Sequence, residues 1–425
     1  MNEAFLHYIW QFKLYNSNDL YTTQGEKVEI IKAGLPNLNA GPDFFNAQLK
    51  IDNTLWAGNV EIHIQSSDWF NHQHQKDRLY DKIILHVVWE ENKKVLRESG
   101  AFIPTIELKG RVSKVLLERY QMLKENQNWI PCEKNIEAVD QFIKLQQLER
   151  MLVERLEDKA RRIHQKLLLN TNDWEEVFYQ TICKYIGLKV NGTPFELLAN
   201  ALPFSTLRKH QDNLLQLEAL LFGQAGFLEE TFKGSYPKKL KEEYRFLKNK
   251  YKLKNIDASI WKFMRMRPSN FPTIRLAQLA ALIHKNKSFF EKIREAKSIE
   301  QIYQLFNTTA SEYWDSHYQF DIPAGQKRKK RIGKTTQDVL LINAVVPLLF
   351  IYAQKRDDVE GKQFALHLLD KIPAEKNSIT KKWQTLGLPL SSAFHSQALL
   401  QLKKEYCDKK KCLHCKIGNA ILRSS

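Results

Sequence analysis

The spacing of apolar positions changes near residue 111, and the chain divides there into two textures. Residues 3–15 (EAFLHYIWQFKLY) are dense in apolar and aromatic side chains and predict a helix. Residues 27–33 (KVEIIKA) alternate and predict a strand, and residues 34–42 (GLPNLNAGP) form a turn-rich loop. Two further strands are predicted over 44–52 (FFNAQLKID) and 55–65 (LWAGNVEIHIQ). Residues 67–80 open with Ser67 and Asp68 as helix caps and predict a short helix. Residues 82–90 (KIILHVVWE) are the apolar run of a buried strand, and 104–108 (PTIEL) an edge strand. The order is α-β-β-β-α-β.

Beyond residue 111 the pattern is helical, as in LEALLFGQAGFL (217–228) and IRLAQLAALI (274–283), with no fixed repeat. The run VLLINAVVPLLFIYA (339–353) is about three-quarters of a membrane span and predicts a buried helix. The last section, 377–425, reads as a helix followed by a Cys-rich tail. We therefore expect an α/β domain over 1–110, a mostly helical basic domain over 111–400 and a Cys-rich metal-binding tail over 401–425.

Charge sharpens that division. Residues 1–110 hold 11 Lys/Arg and 14 Asp/Glu, whereas 111–425 hold 54 and 34, which accounts for the net +17 of the 425-residue chain. A slightly acidic head on a strongly basic body points to a nucleic-acid partner or another anion, through counterion release. The N-terminus has no basic stretch followed by a cleavage site, and five cysteines make no secreted disulfide framework. The expectation is a cytoplasmic protein with no membrane partner.

The chemistry concentrates in GPDFFNAQLKIDNTLWAGNVEIH (41–63). Asp43 stands before one strand, and Glu61 and His63 lie two apart on the next. In a hairpin the start of one strand lies beside the end of its partner, so these side chains converge. Two carboxylates at one point repel, and a divalent cation is the usual remedy; it also activates water. We expect Asp43 and Glu61 to hold Mg²⁺ or Mn²⁺, with His63 assisting catalysis. Glu26 and Glu29 are weaker candidates for a third acid.

This order of elements, with Pro42-Asp43 and then Glu61-Ile62-His63, resembles the PD-(D/E)XK nuclease core. The resemblance covers about residues 1–110. It implies that Asp43 and Glu61 bind the metal, that the Ile62 carbonyl is a further ligand, and that His63 stands where a Lys is usual. The runs GPDFFNAQLKIDNTLWAGNVEIHIQSSDW, ILHVVWE and YCDKKKCLHCKIG also resemble an uncharacterised bacterial family, domain of unknown function 2851, over the whole chain. That family implies no activity.

Further polar residues follow the hairpin: His72, His74, Asp77, Tyr80 and His86. Gln73 or Gln75 followed by Tyr80 loosely resembles the helix glutamine and tyrosine of the RecB-like nucleases. The plainer reading is surface histidines around a helix, with His86 a core histidine mid-strand. A zinc site of His63, His72 and His74 is the alternative, which an i, i+2 pair favours only on a strand or loop.

Cys407-x4-Cys412-x2-Cys415 has metal-ligand spacing, and Cys132 is the best fourth ligand. The set suits a zinc ion or an iron–sulfur cluster. One upstream cysteine with three at the C-terminus is similar to the iron–sulfur staple of AddB-type nucleases. The basic loop Lys327, Arg328, Lys329, Lys330 and Arg331 precedes a helix start and is a candidate phosphate contact. Arg265, Arg267 and Arg275 lie in MRMRPSNFPTIR, either a single-strand platform or a junction with buried ion pairs. Gly333-Lys334-Thr335-Thr336 lacks the upstream glycines of a P-loop. The expected function is metal-dependent phosphodiester hydrolysis of DNA or RNA. The alternative is a non-catalytic nucleic-acid-binding or scaffold protein that keeps a nuclease-like fold.

Overall fold

Helix α1 (Glu3–Gln11) opens the chain. The Asn2 side chain caps it by accepting from the Phe5 amide, and the helix buries Phe5, Leu6, Tyr8, Ile9 and Trp10. The structure, a computed structural model, describes residues 1–37, 39–97 and 99–424. It contains two compact units: Met1–Gln147 with Lys403–Ser425, and Leu148–Leu402.

The first unit is built on a mixed sheet of β1 (Val28–Lys32), β2 (Leu35–Pro36), β3 (Phe44–Ile51), β4 (Thr54–Gln65), β5 (Ile83–Glu90) and β6 (Thr105–Glu107). The spatial order is β1-β3-β4-β5-β6, with β2 also against β3. β1, β2 and β4 run antiparallel to β3. β5 is parallel to β4, and β6 to β5. The turn between β3 and β4 is Asp52-Asn53, with Asp52 in the left-handed region (φ 49°) and Ile51 opposite Thr54. β5 is buried on both faces from Ile83 to Val88, which is why its sequence is a run and not an alternation.

The sheet strands expected from the sequence are all present, and β2 is an addition. The helix expected over 67–80 is not one helix. A single turn, α2 (Asp68–Asn71), is followed by Gln73 in the left-handed region (φ 61°) and by two 3₁₀ turns, His74–Lys76 and Arg78–Tyr80. A left-handed residue ends a helix. The Asp77 side chain then caps the last turn by accepting from the Leu79 amide.

The unit boundaries also differ from the expected divisions at 110 and 400. Helix α3 (Lys114–Glu125) belongs to the first unit, because Tyr120 stacks on Phe5 with ring centroids 3.7 Å apart and donates to the Asn2 side chain. The C-terminal tail joins it there. Arg423 donates to the Tyr8 hydroxyl and lies 3.9 Å over the Phe12 ring. Apolar and aromatic contact with α1 thus recruits both segments.

The second unit is mostly helical. Its helix Lys334–Gln354 is long and apolar enough to cross a membrane by length and composition, but 78% of its most apolar window is buried within the protein. It is the core helix that the sequence run predicts.

Candidate metal centre

Strand pairing brings Asp43 and Glu61 together as the hairpin spacing requires. Phe44 lies opposite Val60, so the residue before β3 meets the residue after Val60 on β4. The Asp43 amide donates to Glu61 Oε2 (3.1 Å), and the Ile62 amide donates to Asp43 Oδ2 (3.0 Å). The loop that delivers Asp43 is ordered by Asn37, whose side-chain amide donates to the carbonyls of Asn39, Ala40 and Pro42. Gly34 begins that loop at φ 95°, where a Cβ would lie 2.9 Å from the Phe45 carbonyl oxygen, so only glycine fits.

On β4, Glu61 and His63 share a face, and His86 of β5 is the register partner of Glu61. Left-handed Gln73 turns the chain so that His72 and His74 come back over them. His63 Nε2 is 3.2 Å from His72 Nδ1 and 3.7 Å from Glu61 Oε1. His74 Nε2 is 3.3 Å from the same Glu61 oxygen. One ligand atom from each of His63, His72 and His74 falls within 4.8 Å of the others. Two nitrogens held about 2.0–2.1 Å from one tetrahedral ion lie about 3.3 Å apart, a spacing that the 3.2 Å His63–His72 contact matches, while the set as a whole reaches up to 4.8 Å.

Supporting contacts fix the rings. His63 Nδ1 is 2.8 Å from His86 Nε2, which leaves one proton shared between them. With that proton on His63, its Nε2 presents a lone pair to the centre, the arrangement by which outer partners orient metal-binding imidazoles. The His74 ring stacks on Tyr80 at 3.8 Å and meets Trp69 edge-on at 5.3 Å. A cleft of about 290 Å³ lined by Trp69, His74, Tyr80, Arg97 and Ser99 adjoins His74. From α1, His7 Nε2 approaches Asp43 Oδ2 at 3.2 Å.

Electrostatics match a cation-binding role. Glu61 is buried, and its carboxyl is raised by burial and by Asp43 against the lowering contact with His74. Burial, then His74 and His72, pull His63 down to about 4, so its imidazole is neutral and able to ligate. His86, fully buried, is held well below its usual value by the same desolvation. His7 moves the other way: burial opposes its charge, but Asp43, then Glu3 and Glu61, overcome it.

A family model described as a protein of unknown function, DUF2851, matches residues 3–378. The chain belongs to that family. No curated protein and no solved structure matches the chain. The DUF2851 match takes in every residue of this centre and Cys132, and it ends before Cys407.

The remaining expected residues fall in other places. Glu29 pairs with Lys50, near the end of β3 opposite Asp43, and the Glu26 carboxylate accepts from the Thr22 hydroxyl. His72 is exposed, as the surface reading has it, while it and His74 also stand with His63 as the alternative zinc set has them; His7 carried no signal in the sequence. Cys132 and Cys415 are buried, and Cys407 and Cys412 half-buried. Burial raises the thiols of Cys132, Cys407 and Cys412, and each is raised further by other members of the four. The tail is anchored beside them, with Lys410 Nζ donating to the Lys124 carbonyl and the Lys416 amide to Gln147.

In the second unit, Arg265 and Arg267 are exposed, and so are Lys327, Arg328, Lys329 and Arg331. Lys330 is turned inward, with Nζ 4.0 Å over the Tyr318 ring. Arg275 is buried on neutral partners and not in the ion pairs anticipated for that junction.

Proposed function

We propose that the protein is a metal-dependent phosphodiesterase acting on DNA or RNA, with an N-terminal domain of PD-(D/E)XK type. The observation that carries this reading is the cluster of His63, His72 and His74, whose ligand atoms lie within 4.8 Å of one another, with Glu61 against His63 and His74 and the Asp43 amide on Glu61. The sheet supports the fold resemblance: three antiparallel strands, then a crossover to a parallel fourth. Asp43 before β3 and Glu61-Ile62-His63 on β4 stand at the positions of that motif.

Glu61, His63, His72 and His74 would hold the ion, and Asp43 would brace or complete the set. A bound cation there supplies an activated water and neutralises phosphate charge. The imidazoles favour Mn²⁺ or Zn²⁺ over Mg²⁺, which prefers an all-oxygen shell. A proton on the His86 side of His63 would free its Nε2 for the ion, and His7, raised by Asp43, lies 3.2 Å from the Asp43 carboxylate. The basic second unit is a natural contact for the phosphate backbone.

The four cysteines are a second, structural centre in this reading, holding zinc or an iron–sulfur cluster. One feature favours the non-catalytic alternative. His63 is buried and neutral, so the centre lacks the cationic side chain usual at that position. The deciding assay is cleavage of single- and double-stranded DNA and RNA with Mg²⁺, Mn²⁺ or Zn²⁺. Cleavage by wild type and none by Glu61→Ala supports the hydrolase. No cleavage by wild type under any condition leaves the scaffold reading.

A further inference from the structure

Arg275 lies on the helix Pro272–Lys285 and is only 3% exposed. Its guanidinium donates to Gln278 Oε1 (2.9 Å), Asn270 Oδ1 (2.7 Å) and Thr336 Oγ1 (2.9 Å), all neutral acceptors. Its Nε has no hydrogen-bond partner among the described residues. A buried cation without a counter-ion is costly, and the cost is recovered when an anion arrives. Burial alone pulls this arginine down to about 10, with no acid acting on it to raise it again.

The guanidinium lines a cleft of about 510 Å³ whose rim carries exposed Arg328, Lys329 and Arg331. Gly333 and Thr336, at the start of the helix Lys334–Gln354, close one side, where the helix dipole adds positive potential. One acid, Asp315, meets the rim at Lys329. It is buried, lies 3.8 Å from Lys329 Nζ, and offsets that lysine in part. Arg328 and Arg331 keep their charge for a ligand.

We propose that this cleft binds a phosphate group, with Arg275 as its buried floor and Arg328, Lys329 and Arg331 as its rim. A guanidinium presents a fork of donors that matches phosphate oxygens. The cleft has room for a nucleotide-sized ligand, and the two sources the test separates are a nucleic-acid strand and a free nucleotide. Where the phosphate is that of a nucleic-acid strand, the inference deepens the reading of the second unit as a backbone contact, but no residue of the metal centre takes part in it.

The test compares wild type, Arg275→Met and the triple variant Arg328→Ala/Lys329→Ala/Arg331→Ala. The triple variant alters only exposed side chains and so keeps the fold. Thermal unfolding is followed against sodium phosphate, and anisotropy of a fluorescein-labelled single-stranded 15-mer (a length of roughly one to three binding footprints) against protein. Wild type should gain stability with phosphate beyond the general salting effect, and both variants should keep only that effect. If 15-mer affinity also falls by about tenfold or more in the triple variant, the phosphate is a nucleic-acid backbone. If the phosphate response is lost but 15-mer affinity is unchanged, the ligand is a free nucleotide. An equal phosphate response in wild type and the triple variant overturns the proposal.

Discussion

Asp43 and Glu61 brace each other through the backbone. The Asp43 amide donates to the Glu61 carboxylate, and the Asp43 carboxylate accepts from the Ile62 amide. Each acid therefore serves its neighbour's main chain with one oxygen. Glu61 keeps its other oxygen, Oε1, facing His63 and His74. The pair is at once a structural staple and half of an ion-binding set, and substitutions should separate the two roles.

Glu61→Gln keeps the acceptor for the Asp43 amide and removes the buried one of two repelling charges. With metal chelated, its stability in urea should equal or exceed that of wild type, and the rise in melting temperature with Mn²⁺ should vanish. Asp43→Ala should behave differently. It leaves the Ile62 amide without its acceptor and should cost about 1–3 kcal/mol. Equal stabilities for these two variants would contradict the bracing geometry.

Gly34 sets the path of the loop that carries Asp43. Gly34→Ala forces a Cβ against the Phe45 carbonyl at φ 95°. The expected loss is about 1–3 kcal/mol. Mn²⁺ affinity measured by calorimetry should fall with it, although position 34 is no ligand. Unchanged affinity would show that the loop reaches Asp43 by another route.

The four cysteines should carry metal. Anaerobic purification followed by metal analysis should give either iron with sulfide and a brown colour, or about one zinc per chain. Cys132→Ser should lower metal content and melting temperature together, since metal binding contributes folding energy in such sites. Metal-free protein whose four thiols all react with a thiol reagent in the native state would refute the site.

Lys159 provides a pH test. It is buried, and its ammonium group donates to the Ile342 carbonyl and to the side chains of Asn343 and Gln397. Burial first, then Arg155, lowers it to about 7. The unfolded chain holds that proton up to its ordinary value of 10.5, so between the two values the unfolded state binds more protons. Stability must therefore rise with pH across this window. Denaturant midpoints at pH 7 and pH 9 should show the rise in wild type and a smaller one in Lys159→Met.

The sheet was legible because strand signals are local. Alternation in 27–33 and the apolar run of β5 each act within a few residues. The pairing of Asp43 with Glu61 was legible for the same reason, as hairpin register follows from strand length and turn. The sequence offered His72 and His74 with His63 as an alternative zinc set, but neither the path that brings them there nor the place of His7 was local. His72 and His74 enter the centre because Gln73 takes a left-handed conformation, which no strong propensity marks. His7 enters because α1 packs beside β4, a contact between residues far apart in sequence.

The sequence by itself determined the element order, the acid pair and the spacing of three tail cysteines, since each depends on neighbours along the chain. Tertiary structure alone decided that the tail returns to α1 and α3 and that His72, His74 and His86 gather around His63. It also decided that Arg275 is buried without an acid. Those outcomes depend on which apolar faces meet and on which charges lose their water, and both are set by residues that only folding brings together.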